Sequence, residues 1–215
     1  MGRGHGHLLP AERRGAGAEL TTLHLVRHAA HALLGRRLTG RMGGVGLSEE
    51  GREQTEALAA ALATRPIAAV FSSPLQRARE TAAPIAARLG LAVVKEPGLD
   101  EIDFGAWSGK SFAELEADPA WGEWNRFRSV TRCPGGESML EAQARALATV
   151  TRLGAAYPAG EVVLVSHQDI LKALLAHLLG IPLDFLHRLA FDVAHRAVVV
   201  LGRDFVRVDG LNLPP

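Results

Sequence analysis

Three observations predict an α/β fold in three layers, with a largely parallel central sheet and helices on both faces. Short β-branched runs alternate with longer amphipathic segments of helical period. Proline and glycine punctuate the helical segments at their starts and stops. No internal repeat or linker interrupts the alternation, so residues 21–211 read as one domain.

The elements follow in order. "LHLV" (23–26) reads as a buried strand. The segment 47–66 reads as a helix with Ser48 as N-cap, with Leu58, Ala61 and Leu62 on one face and Pro66 closing it. "AAVFSS" (68–73) is a second strand. The next helix begins near Pro74 and stops at Gly90; Pro84 lies inside it and is expected to kink or split it. "LAVVKE" (91–96) is a third strand. Periodicity then fails over about 98–136, an irregular cap segment that holds Trp107, Trp121 and Trp124. Ser138 and Glu141 have capping-box spacing, and Leu140, Ala144, Leu147 and Val150 follow at helical intervals. "EVVLVSH" (161–167), a helix ending at Gly180, and a closing pair of strands, "RAVVVL" and "FVRV", complete the domain.

Composition excludes several classes. The chain has 215 residues, 47% hydrophobic and 22% charged, an ordinary globular balance. Its net charge of +1 gives no footprint for a nucleic acid. No run is long and apolar enough for a membrane span or a signal peptide, and Cys133 is alone, so a cytoplasmic protein is expected. Residues 1–20, rich in Gly, Arg and Ala, read as a disordered extension whose His5 and His7 are solvated.

In parallel sheets ligands bind beyond the carboxyl ends of the strands. Here the first strand ends at Arg27-His28, the second at Ser72-Ser73 with Arg77 one turn beyond, and the "EVVLVSH" strand at Ser166-His167. Singly, each is more often a structural histidine or a surface arginine. Together they share one edge. Two guanidinium forks suit phosphate oxygens, and the helix start after His167 offers free N–H groups. A neutral imidazole in such a pocket can attack phosphorus, nearby arginines help keep His28 neutral, and Glu101 is a candidate proton donor. A metal site built from His28, His31, His167 and Asp169 competes poorly, because the arginines would repel a divalent cation.

At this point the sequence resembles the histidine phosphatase superfamily, in its phosphoglycerate-mutase-like branch. The matching pieces are "LVRHAAH", "RRLTGRMGGVGLSEEGREQ", "FSSPLQRARETA", "LDEIDFGAWSGKSFAEL", "PGGESM" and "LVSHQD", in family order. The resemblance implies that His28 is the phospho-accepting nucleophile, that Arg27, Arg77 and His167 hold the phosphoryl group, and that Glu101 is the acid. Arg37 takes the place of a further phosphate-contacting arginine, with Arg36 and Arg41 as alternatives, and Gln168 joins the substrate site. Two departures stand out. Ala29, Ala30 and His31 follow the histidine where the family usually reads Gly-Glu-Thr, with Leu33 near a usual asparagine and His31 as the expected replacement contact, and Gln168 follows Ser166-His167 where the family reads glycine.

The segment after Glu101 looks like that of the phosphatase members. The expectation is therefore a phosphomonoester hydrolase acting on a small phosphorylated metabolite, a sugar phosphate or phosphoglycerate-like ester. It would release inorganic phosphate without cofactor or metal. A phosphoglycerate mutase and a non-catalytic phospho-ligand-binding protein are the alternatives. No nucleic-acid or membrane partner is expected, and a homodimer is left open.

Overall fold

The structure, a computed structural model, describes residues 20–215. The extension expected over 1–20, with His5 and His7, lies outside the described residues except for Leu20. Six strands form one sheet in the order β3-β2-β4-β1-β5-β6. Their ranges are β1 Thr21–Arg27, β2 Ile67–Ser72, β3 Val93–Lys95, β4 Glu161–Ser166, β5 Arg196–Leu201 and β6 Val206–Leu213. The first four are mutually parallel, while β5 runs antiparallel to β1 and β6 antiparallel to β5.

Strand alternation distributes the core between two faces. Val26, Val70, Val163 and Val165 pack against α1 (Glu49–Leu62) and α2 (Gln76–Leu89). Leu23, Leu25, Val162 and Leu164 point the other way, toward α5 (Met139–Ala156) and α6 (Gln168–Leu179). The three expected layers are thus present. The cap holds two short helices, α3 (Phe112–Glu116) and α4 (Pro119–Arg126), and 3-10 turns at 97–99 and 105–107. Trp107 and Trp124 are fully buried beside Phe104 and belong to the same apolar cluster as Leu23, Leu25 and the buried faces of α5 and α6, so this part of the cap extends the main core. Cys133 is buried there too, and burial pushes its thiol up to about 12.

The capping expectations hold. The Ser48 hydroxyl accepts from the Gly51 N–H at 3.1 Å, and Ser138 and Glu141 complete a capping box. Three details differ. Helix α2 runs unsplit through Pro84, which is half-buried on its flank. In α1 the buried partner of Leu58 and Leu62 is Ala59, and Ala61 is half-buried. In α5 the buried face is Met139, Ala142, Ala146, Thr149, Val150 and Leu153, whereas Leu140 is exposed. That face is mostly small residues, which let the helix lie close to its neighbours but register weakly in a hydrophobic pattern.

The loop after β1 is locked from several sides. The Ala29 N–H donates to Thr81 Oγ1 at 3.0 Å, the Ala30 N–H to Gln54 Oε1 at 3.0 Å, and the Ala30 carbonyl accepts from the Ser48 N–H at 3.0 Å. Helix α1 approaches so closely that a Cβ on Gly51 would fall 2.0 Å from the Ala30 oxygen. Gly51→Ala should therefore cost about 1–3 kcal/mol through overpacking and reduce activity by displacing this loop. Thermal melting paired with an activity assay checks it; an unchanged Tm would show that the loop yields freely.

Candidate active site

The carboxyl ends of β1, β4 and β2 meet on one edge. Strand β1 delivers Arg27 and His28, β4 delivers Ser166 and His167, and Arg77 projects from the first turn of α2 after β2. The rings of His28 and His167 are 5.1 Å apart, and those of His28 and His31 5.4 Å. All three histidines are buried, with His28 4% exposed.

The tautomers follow from the partners. His28 Nδ1 lies 2.9 Å from the Ala29 carbonyl, which can only accept, so Nδ1 carries the proton. Nε2 then keeps its lone pair and makes no hydrogen bond among the described residues, and the ring lines a cavity of about 490 Å³. His167 is held in the opposite sense. Its Nδ1 accepts from Arg77 Nη2 at 3.1 Å, so Nε2 donates to Ser73 Oγ at 2.8 Å, and Ser73 Oγ donates to Asp100 Oδ1 at 2.6 Å. Burial, then the Arg77 charge, holds both His28 and His167 well below the usual imidazole range, and His28 adds to the effect on His167. Burial, then Arg77 and Arg27, lowers His31 to about 4.

The cationic groups are under-satisfied. Arg77 is 1% exposed; its Nη2 donates to the Gly40 carbonyl and to His167, while Nε and Nη1 have no partner among the described residues. Arg27 Nη1 donates to the Phe191 carbonyl at 2.6 Å, and its buried Nε likewise has no partner among the described residues. Unpaired buried donors on two guanidinium groups are costly, and an anion is what would pair them.

Glu101 faces the same cavity. Its Oε1 accepts from the Ile102 N–H at 3.0 Å, and among the described residues no side chain forms a hydrogen bond or ion pair with its carboxyl. Burial, then the Asp169 charge, raises it to about 7 against the opposing pull of Arg77. Asp169 is itself paired with Arg128 at 3.3 Å, and the Arg128 guanidinium lies over the Trp124 ring at 3.9 Å.

The sequence-derived residues divide as follows. Arg27, His28, His31, Arg37, Glu101 and Gln168 line the cavity, while Arg77 and His167 lie beneath it against His28. Arg37 is at the cavity and donates to the Gly109 carbonyl at 2.8 Å; of its two alternatives, Arg36 is exposed and does not line the cavity, and Arg41 is committed elsewhere, to the Glu101 main chain and to Glu137. Trp121 and Phe104 reach the cavity, whereas Trp107 and Trp124 do not. Sequence reasoning missed Asp192 and Val193, which arrive from the loop before β5, and saw Asp169 only as a metal ligand. A lone loop aspartate carries no spacing signal, so nothing in the pattern could have found Asp192. Among the described residues no group of three or more His, Cys, Asp or Glu side chains is placed to hold a metal ion, and no helix is long and apolar enough to cross a membrane.

Paired neutral imidazoles, under-satisfied arginines and one protonatable carboxyl, set at the strand ends of a three-layer fold, define an anion site equipped for transfer chemistry at an imidazole nitrogen. Comparison with known proteins is specific: residues 23–214 match the histidine phosphatase superfamily (branch 1), and the chain belongs to that family. A bifunctional protein of Mycobacterium tuberculosis is 41% identical over 187 residues, covering 86% of this chain and 51% of the relative. The chain thus spans about half the length of the first of the curated relatives it matches. The glucosyl-3-phosphoglycerate phosphatase of Mycobacterium tuberculosis is 35% identical over 158 residues, 69% of this chain and 70% of that one. The solved structure of a mycobacterial glucosyl-3-phosphoglycerate phosphatase in complex with VO3 superposes with a TM-score of 0.80 at 33% identity, covering 89% of this chain and 98% of that one.

The raised Glu101 carboxyl has a consequence for stability. The folded state binds this proton more tightly than the unfolded state, so folding loses stability as pH rises from about 4.5 to about 7. Glu101→Gln, which cannot ionise, should melt higher than the parent protein at pH 8, with the gap closing by pH 5. A gap that is the same at both values would show that Glu101 titrates normally.

Proposed function

We propose that the chain is a phosphomonoester hydrolase working through a phosphohistidine. The observation that carries this reading is His28: its proton is held on Nδ1 by the Ala29 carbonyl and its Nε2 is left free at the cavity. The Nε2 lone pair attacks phosphorus as the ester P–O bond breaks. The unpaired donors of Arg77 and Arg27 gather the phosphoryl oxygens, whose charge they stabilise through the transition state. Glu101, neutral below about 7, gives its proton to the departing oxygen. A water then attacks phosphorus, returns a proton to Glu101, and the P–N bond breaks to release inorganic phosphate. Because Nδ1–H stays bonded to Ala29, the positive charge on the phosphorylated ring is stabilised by a fixed carbonyl dipole.

His31 and Gln168 complete the substrate contacts in this reading, with Arg37 at the outer rim. The substrate is a small phosphorylated metabolite, a sugar phosphate or a phosphoglycerate-like ester. Both the size of the cavity and the glucosyl-3-phosphoglycerate phosphatases among the relatives support it. The reaction needs neither metal nor cofactor, and we place the protein in the cytoplasm.

His28→Ala should abolish hydrolysis of p-nitrophenyl phosphate, and enzyme quenched during turnover should carry acid-labile phosphate on residue 28. Label on a serine, or undiminished activity in the variant, would sink the mechanism. With 3-phosphoglycerate, turnover should appear as inorganic phosphate, and efficient interconversion with 2-phosphoglycerate would identify a mutase instead.

The acid role makes a separate prediction. With alkyl phosphates kcat/KM should be high below about pH 7 and fall above it as Glu101 ionises. Glu101→Gln should abolish that limb and lower kcat roughly 10²- to 10⁴-fold. The loss should be much smaller for p-nitrophenyl phosphate, whose leaving group barely needs a proton. Equal impairment on both esters would deny Glu101 this role.

A further inference from the structure

Glu101 owes its place to a set of contacts that reach its main chain and not its carboxyl. Its backbone carbonyl accepts two charge-assisted hydrogen bonds, from Arg41 Nε at 2.8 Å and from Arg145 Nη2 at 3.0 Å. Both arginines are gripped by one carboxylate. Arg145 Nε donates to Glu137 Oε1 at 3.0 Å and its Nη2 to Oε2 at 3.1 Å, while Arg41 Nη2 donates to Oε2 at 2.9 Å. Arg145 Nη1 extends the grip to the Gly98 carbonyl at 3.0 Å, on the turn that leads into Glu101.

Glu137 is also locked to the strand-like segment on the other side of Glu101. Its N–H donates to the Asp103 carbonyl at 2.8 Å, and its Oε2 accepts from the Asp103 N–H at 3.0 Å. The two backbones lie so close that a Cβ on Gly136 would fall 2.1 Å from the Asp103 oxygen. Burial works against the charge on Glu137, but the Arg145 and Asp103 hydrogen bonds prevail and hold its carboxyl below the usual range.

We propose that Glu137 is a positioning residue for the Glu101 carboxyl, acting through Arg41 and Arg145, which it fixes on the Glu101 carbonyl. The proposal rests on the reading of Glu101 as proton donor. Its physical content is a separation of duties. Two guanidinium groups clamp the main chain tightly while Glu137 offsets their charge; Arg145 still draws the Glu101 carboxyl toward ionisation, but less strongly than burial and Asp169 oppose it. The other charged groups facing Glu101 are Asp169 from α6, which favours its neutral form, and Arg77 from α2 and Arg27 from β1, which oppose it. Without Glu137, the balance tips toward the cations.

Glu137→Gln keeps the shape and removes the charge. On an alkyl phosphate, the alkaline limb of kcat/KM should move to lower pH by roughly half to one unit. In the same variant kcat should fall about 10-fold, with a clearly smaller fall on p-nitrophenyl phosphate. Arg41→Met, at a half-exposed site that tolerates change, removes a cation from the same carbonyl. Its limb should move the other way, to higher pH, with the same preferential loss on the alkyl ester; it decides the matter if Glu137→Gln does not fold. Limbs unmoved in the folded variants, or equal losses on both esters, overturn the proposal. Glu101→Gln run in parallel separates the two readings. If that variant keeps the parental limb, Glu101 is not the donor and both readings fall. If it loses the limb while Glu137→Gln and Arg41→Met leave theirs in place, only the role of Glu137 falls.

Discussion

The hydrogen bond from His28 Nδ1 to the Ala29 carbonyl is the contact on which the site depends. It is short-range, joining adjacent residues, yet it can form only if the chain after β1 turns in one particular way. That turn is dictated from outside: Thr81 from α2, Gln54 and Ser48 from the α1 region, and the Ser166 carbonyl on β4, which accepts from the His28 N–H, all hold it. Two alanines there make no side-chain hydrogen bonds of their own. The loop is a backbone device, and its small side chains let the helices close over it.

Around that ring the charges are arranged in opposition. Burial, reinforced by Arg77 and Arg27, makes the pocket hostile to a proton on His28, and burial, reinforced by Asp169, makes the Glu101 carboxyl reluctant to give its proton up. Arg77 pulls on both groups, but on Glu101 burial and Asp169 outweigh it. Arg77 lies beneath His28 and against His167, whereas Asp169 lies at the cavity wall with its own cation, Arg128. A neutral base and a neutral acid can therefore coexist near pH 7, which is the state that nucleophilic attack with protonation of the leaving group requires.

Much of this was legible in the sequence because strands that end abruptly in polar residues announce the active edge of a parallel sheet. Arg27, His28, Ser73, Arg77 and His167 could be grouped from that rule alone. The helix capping of Ser48 and Ser138 was equally local and equally visible. What escaped depended on tertiary partners. Alanine-rich α5 buries a face that Leu140 does not mark, and Pro84 sits inside a continuous helix. In sequence Arg41 stood only as an alternative to Arg37; its contacts with the Glu101 carbonyl and Glu137 come from tertiary structure and carry no sequence signal. Asp192 comes from a loop whose position no periodicity encodes.

The register of β1 against β4 carries a consequence of its own. Arg27 pairs with Ser166, which sets His28 and His167 side by side as the first residues beyond the ladder. Side chains alternate faces along a strand, so a slip of one residue would turn one imidazole toward the opposite helical layer and bury valines where leucines belong. The apolar code of the sheet and the spacing of the reacting groups are thus one and the same alignment. Selection for a well-packed interior acts, at these two strands, as proofreading of the chemistry.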